Sequence, residues 1–143
     1  MEPRIVAIPP ILVGDMWMHA APHLLKGLTK ATDLTLEQIV ADLVSGSETL
    51  WCVLAADRVV AAFLTGHRVD DDTGSQFLCV YALGGERMDL WGKAIGDRMV
   101  EAARSAGCAS VRFVGRDAWS RVLPTYQRIG RRDHEAVFER AAL

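Results

Sequence analysis

Cysteine is scarce in this chain: Cys52, Cys79 and Cys108 make three, an odd number, widely spaced and without a CxxC pair. That excludes a disulfide framework and offers no metal-ligand or nucleophile spacing. Cys52 and Cys79 fall inside apolar runs and read as buried free thiols, so a reducing cytoplasmic setting is expected. Long apolar runs are missing too. No stretch approaches the roughly 18–20 residues that span a bilayer. The apolar segment from Ile5 to Val13 is interrupted by Pro9 and Pro10 and has no small-residue cleavage site after it, so neither a membrane span nor a signal peptide is expected.

Nor does charge of one sign dominate, because the formal net charge is only −2. It is unevenly spread. From Arg112 onward seven arginines face Asp117, Asp133, Glu135 and Glu139, a balance of +3, while the preceding residues balance at −5. Such a patch can meet phosphates, but the interleaved acids dilute it below a nucleic-acid signature. Apolar material, in contrast, is ample. Half of the 143 residues are hydrophobic and the mean hydropathy is +0.14, which suits a single packed domain over residues 1–143. No repeat, low-complexity tract or linker divides it.

Periodicity gives the order of elements. Arg4 to Leu12 reads as a first strand that Pro9-Pro10 confine to an edge or end early. Gly14-Asp15 offers a cap before Met16, Trp17, Ala20, Leu24 and Leu28, which recur at helical spacing with Pro22 as a break or kink. Thr35 with Gln38 forms a capping-box pattern ahead of Leu36, Ile39, Val40 and Leu43, and Gly46 supplies the stop. Leu50–Ala55 and Val59–Thr65 are β-rich runs joined as a hairpin, Asp70 to Ser75 is a polar turn, and Gln76–Leu83 is a third run. After Gly84-Gly85, Met88, Trp91, Ile95, Met99 and Ala102 mark the longest helix, ended by Gly107. Val111–Val114 is a short strand, Trp119 to Ile129 has helical spacing complicated by Pro124, and Ala136–Glu139 makes a last strand. The order is strand, two helices, three strands, helix, strand, helix, strand.

That order resembles the GCN5-related N-acetyltransferase (GNAT) superfamily, an α/β (α+β) fold with a mixed, largely antiparallel sheet flanked by helices. Tyr126-Gln127-Arg128-Ile129-Gly130 is similar to the family's Y-x-x-x-G, although Arg131 stands where the family has an aromatic. Gly84 to Gly107 matches its pyrophosphate loop and third helix. Gly84-Gly85, Trp91, Ala103-Arg104, Gly107-Cys108 and Gly115 to Trp119 resemble a divergent, phage-associated branch. The resemblance implies an acyl-CoA-dependent N-acyltransferase, transferring an acetyl group from acetyl-CoA to a small-molecule or peptide amine. The cofactor would touch Val80, Leu83, Gly84, Gly85, Arg87, Gly92, Lys93 and Ala94, since free backbone N–H groups at a helix start favour a pyrophosphate. The family pattern Q/R-x-x-G-x-G/A aligns on Asp89-Leu90-Trp91-Gly92-Lys93-Ala94, but with an acid at its first position. The helical stripe suggests another register, in which the helix already runs at Asp89 and the loop is Gly84-Gly85-Glu86-Arg87.

By the same resemblance Tyr126 would be the general acid that reprotonates the departing thiolate; its residue pattern alone equally fits a core tyrosine. Glu86, His67 and Tyr81 are candidates for a general base among which the sequence does not choose. Asp15, His19 and His23 repeat every four residues, yet Pro22 and the lack of a further ligand argue for surface groups rather than a metal site. Asp70-Asp71-Asp72 lacks the rest of a calcium loop, and His134 lies in a polar loop. Trp17, Trp51, Trp91 and Trp119 suit core packing, with one or two free to form a partner surface. The departures of the loop and the surplus of tryptophan keep a second reading open: a non-catalytic protein of this fold, of phage or prophage origin, acting through protein contacts, including a second copy of itself, and located in a phage particle.

Overall fold

The computed structural model describes residues 3–28, 35–132 and 135–143, so His134 lies outside the described residues. Seven strands form one sheet: β1 (Arg4–Ile8), β2 (Thr49–Ala55), β3 (Arg58–Val69), β4 (Gln76–Gly85), β5 (Ser110–Gly115), β6 (Gln127–Arg132) and β7 (Glu135–Ala141), in the spatial order β1-β2-β3-β4-β5-β7-β6. Only β4 and β5 pair in parallel, and every other neighbouring pair is antiparallel. The helices are α1 (Val13–Gly27), α2 (Leu36–Ser45) and α3 (Met88–Ser105). The expected mixed, largely antiparallel sheet is present, with α3 as the crossover between its parallel strands.

Local chemistry accounts for most boundaries. Thr35 accepts a hydrogen bond from the Gln38 amide at 3.2 Å, and the Gln38 side chain accepts one from the Thr35 amide at 3.1 Å, which closes the capping box of α2. Gly46, at φ 84°, ends that helix in a left-handed conformation. Ala56 and Asp57 both have positive φ and turn the β2–β3 hairpin.

Three expectations are corrected. Helix α1 begins at Val13 instead of being capped by Gly14-Asp15, because the 3-10 turn Pro10–Leu12 runs straight into it. It also continues through Pro22 without a break. Pro22 and Met18 both lie on the water-facing side, where a carbonyl without a helical partner can be solvated, while the buried stripe of Val13, Ala20, His23, Leu24 and Gly27 drives the helix on. The third correction concerns Trp119 to Ile129, which is not a helix. A 3-10 turn over Asp117–Arg121 is followed by the extended β6. Pro124 disfavours the helical conformation at Leu123 and removes an amide donor, so Leu123 and Tyr126 reach the core from a turn.

The sheet divides two cores. On one face Leu78, Val80, Val111, Phe113 and Phe138 meet Ile95, Met99 and Ala103 of α3. On the other, Leu50, Cys52, Ala62 and Leu64 meet Ala20 and Leu24 of α1 and Ile39 and Leu43 of α2. Trp51 is buried, donates its indole N–H to Thr65 Oγ1 at 2.9 Å and stacks on Phe63. Trp17, Trp91 and Trp119 are half-buried.

Helix α1 meets β4 backbone to backbone. A Cβ on Gly84 would stand 2.1 Å from the His23 carbonyl oxygen, and one on Gly27 would stand 2.4 Å from the carbonyl of Ala82. Gly84→Ala should therefore lower the unfolding free energy by about 2–3 kcal/mol. Gly14→Ala, with nothing within 4 Å of its new methyl group, should raise it by about 0.5–1 kcal/mol. Urea denaturation of the two variants checks the pair of opposite signs.

Candidate functional site

The ladder between β4 and β5 covers only Phe77–Val80 and Ser110–Phe113, although both strands run on, to Gly85 and Gly115. The strands therefore part beyond Val80 and Phe113. The cause is visible in β4. Its pairing with β3 jumps from Leu64↔Tyr81 to Ala62↔Gly84, so two residues, Ala82 and Leu83, oppose Phe63, and Ala82 has φ 54°. A bulge of this kind bends its strand and leaves ladder groups without partners. The main chain of β4 beyond Val80 thus presents donors and acceptors to a gap instead of to β5.

The borders of this gap come from four elements. The C-terminal turn of α1 lies on Ala82, Leu83 and Gly84. Arg116, just past β5, donates from its guanidinium to the Lys26 carbonyl and so ties the end of β5 to α1. The first turn of α3 and Trp119, whose indole lies against Gly115, complete the surround. Among the described residues, two buried side-chain atoms have no hydrogen-bond partner, and both belong to these bordering elements: Nδ1 of His23 and Nε1 of Trp91. His23 donates its Nε2–H to the Val59 carbonyl at 3.1 Å, which leaves Nδ1 as an acceptor.

The start of α3 settles which register its sequence adopts. The helix runs from Met88, so Asp89, Gly92, Lys93 and Ala94 lie within it; Gly84 and Gly85, expected in the loop, end β4 instead, and Glu86-Arg87 alone link strand to helix. Gly92 packs on the chain itself, for a Cβ there would stand 2.5 Å from the Val122 carbonyl oxygen. Lys93 is exposed and paired with Asp97 at 3.2 Å. Val80 and Leu83 point their side chains into the α3 core, which leaves only their backbone for a ligand. In that link the Glu86 amide donates to the Val60 carbonyl at 2.8 Å, and at the end of β4 a Cβ on Gly85 would overlap Ala61. Arg87, at φ 51° and ψ 47°, is the N-cap and pairs with Asp89 at 3.3 Å. Hydrogen bonding from Arg87 holds the Asp89 carboxyl below the usual carboxylate range, and the amides of Asp89 and Leu90 add to this. The helix start already holds an anion of its own.

Tyr126 is buried and its hydroxyl donates to the Gly96 carbonyl of α3 at 2.8 Å, with its ring edge-on to Phe113 at 4.9 Å. As it stands, the phenol faces α3, and protonating a thiolate in the gap would require that bond to open. Among the candidate bases, Glu86 is exposed and held low by its hydrogen bonds from Arg58, and His67 is exposed with Nδ1 3.8 Å from the Cys108 sulfur. Tyr81 immediately precedes the bulge and donates its hydroxyl to Glu48 at 2.7 Å.

Glu48 escaped the sequence reading. It is a lone acid after a helix stop, with no spacing to mark it. Arg68 grips it through both terminal nitrogens, and its side chain is only 10% exposed. The pair can lie flat on the sheet because Gly66 has no Cβ to displace it. Tyr81, Glu48 and Arg68 form a polar cluster on the α1 face of the sheet, beside the gap.

The cysteines do not take part. Burial pushes the Cys52 and Cys79 thiols up to about 11, which leaves them uncharged and poor nucleophiles. Among the described residues no group of three or more His, Cys, Asp or Glu could hold a metal ion, and no helix is long and apolar enough to cross a membrane.

No protein-family model and no curated protein matches the chain. Solved structures do. An N-acetyltransferase of Staphylococcus aureus Mu50 superimposes with a TM-score of 0.67 over 100% of both chains at 10% identity. An acetyltransferase of the GNAT family from Streptococcus pneumoniae does so with 0.61, at 12% identity, over 98% of this chain and 99% of that one. A predicted acetyltransferase from Clostridium acetobutylicum, solved with acetyl-CoA, gives 0.60 at 12% identity over 85% and 86%. The chain has the GNAT acetyltransferase fold.

The chain's two tyrosines, Tyr81 and Tyr126, provide a pH test. Burial raises both phenols above their ordinary value, and at Tyr81 the hydrogen bond to Glu48 adds to it. A raised folded-state pKa contributes stability that is full below the unfolded value of about 10 and is lost as pH rises toward the folded one. Tyrosinate absorbance should stay absent at pH 10 and then appear together with the loss of circular dichroism, rather than before it.

Proposed function

We propose that the protein is an acyl-CoA-dependent N-acyltransferase with a degenerate cofactor loop, acting on an amine. The observation that carries this reading is the parting of β4 and β5 at the Ala82 bulge. It exposes a strand edge along which an extended thioester arm could hydrogen-bond as an added strand would. Acetyl-CoA bound there would supply an activated carbonyl. The residues of this chain would orient it through the β4 main chain, keep water out with α1 and Trp119, and present the acceptor from the side of Tyr81 and Glu48.

The nucleotide end fits poorly. Its loop has spent the Glu86 amide internally, Gly84 and Gly85 before it are strand residues covered by the chain itself, and its nearest cation is neutralised by Asp89. This favours a second reading, in which the fold serves contacts with another protein or another copy. Ile11 at 88% and Met18 at 83% exposure give that reading an apolar surface beside α1. An origin in phage or prophage, and a place in a particle or in the cytoplasm, belong to the same pair of proposals.

Asp89→Arg separates them. The change removes an anion from the helix start and adds a forked donor, so it should tighten acetyl-CoA binding by about tenfold at low salt and by less at high salt. Calorimetric titration of wild type and variant measures it. Absence of heat from both proteins at millimolar acetyl-CoA would remove the transferase reading.

Tyr126→Phe probes the residue that the resemblance makes a general acid. Loss of its bond to Gly96 should lower the unfolding free energy by about 1 kcal/mol and slow acyl transfer less than about tenfold. A loss of about 10²–10⁴ in turnover, with the fold intact, would return the general-acid role to this phenol.

A further inference from the structure

Helix α1 packs on β3 and β4 and α2 on β2, which among the described residues leaves the β5, β7 and β6 portion of that sheet face without a helix. A cavity of about 380 Å³ lies there. Its floor is apolar, formed by Phe77, Cys79, Val114 and Val137, and the exposed edge strand β6 contributes Ile129 to Arg132 as a wall. Val114 is the first residue of β5 beyond its last pair with β4, so the cavity adjoins the gap where the thioester end of a donor would lie.

The charges around it are unequally committed. Arg112 crosses the floor between Asp70 at 2.6 Å and Glu139 at 2.7 Å, with its guanidinium over Phe77 at 4.1 Å. That cation is neutralised and fixed. Arg131 shares Asp117 with Arg128. Arg132 lines the cavity and makes no hydrogen bond or ion pair among the described residues, and neither does the carboxylate of Asp72. The cavity therefore combines an apolar floor with one uncommitted guanidinium and one uncommitted carboxylate. A polyamine would meet two arginines in the wall, and a polyphosphate would meet Asp72. A small zwitterion with an apolar body meets neither repulsion.

We propose that this cavity binds the amine acceptor, and that the acceptor is a small carboxylate-bearing amine of the apolar α-amino acid class whose carboxylate pairs with Arg132. The word acceptor rests on the transferase reading; the binding itself does not. A fork-on-carboxylate contact gives the specificity, because a guanidinium can donate two parallel hydrogen bonds, and a volume of this size suits a small molecule.

Titration of ¹⁵N-labelled protein with leucine, leucinamide and cadaverine, without any thioester, tests the pocket. Leucine should shift the amides of Val114, Ile129 to Arg132 and Val137, and leucinamide should bind about tenfold more weakly. Arg132→Gln, an exposed edge substitution, should weaken leucine by about the same factor and leave leucinamide unchanged, with Arg132→Lys in between. Leucinamide or cadaverine binding there as tightly as leucine would overturn the proposal, as would the absence of any shift at those amides with millimolar leucine. A leucine response in a protein that ignores acetyl-CoA would support the carboxylate pocket and overturn the transferase reading. Acetyl-CoA binding with an unresponsive pocket would do the reverse.

Discussion

The contact between the last turn of α1 and the main chain of β4 constrains the centre of this molecule. Gly27 and Gly84 let a helix lie on a strand at backbone distance, where any Cβ would overlap. With α1 seated there, the residues from Ala82 to Gly84 are pressed between the helix and β3, in the stretch where two residues of β4 oppose one of β3. The bend of β4 away from β5 is the other side of the same geometry. A tight contact on the face of β4 thus coexists with an open seam along the edge it turns toward β5. Arg116 then reaches over that seam to the carbonyl of Lys26.

The two ends of the seam have opposite characters. At the start of α3, the dipole that could attract a phosphate is met first by Asp89, which sits in the first turn and is held ionised by Arg87 and the helix amides. An incoming dianion would have to compete with a carboxylate tethered to the same turn. At the other end, Tyr81, Glu48 and Arg68 are mutually satisfied on the sheet surface. A neutral phenol held by a carboxylate, itself gripped by a guanidinium, orients a neighbour better than it exchanges protons with it.

Much of the fold was legible in the residues. Thr35 with Gln38, the hairpin between Ala55 and Val59, and the change of period at Gly84 and Gly107 each have a local cause, and local causes survive in sequence. The stretch from Trp119 to Ile129 did not, because apolar residues three or four apart satisfy a 3-10 turn followed by a core insertion as well as a helix. Pro124 carried the deciding information. The register at the start of α3 was open in sequence, since Gly92 fits a phosphate loop and a close helix contact equally; the helix start at Met88 and the contact of Gly92 with Val122 distinguish them. Glu48 was invisible because its role comes from Arg68 and Tyr81, which are remote in sequence and meet it only across paired strands.

The edge strand β6 has a consequence for how the protein behaves among its own copies. Its six residues are all exposed, and three of them, Arg128, Arg131 and Arg132, are cationic. A second β6 docking edge to edge would bring two such rows of guanidinium groups into register, at a spacing of about 4.8 Å between strands. Sheet extension at this end is opposed electrostatically at low salt and becomes easier as the charges are screened. Self-association through this edge would therefore strengthen with ionic strength, the opposite of what a contact between unlike charges would show.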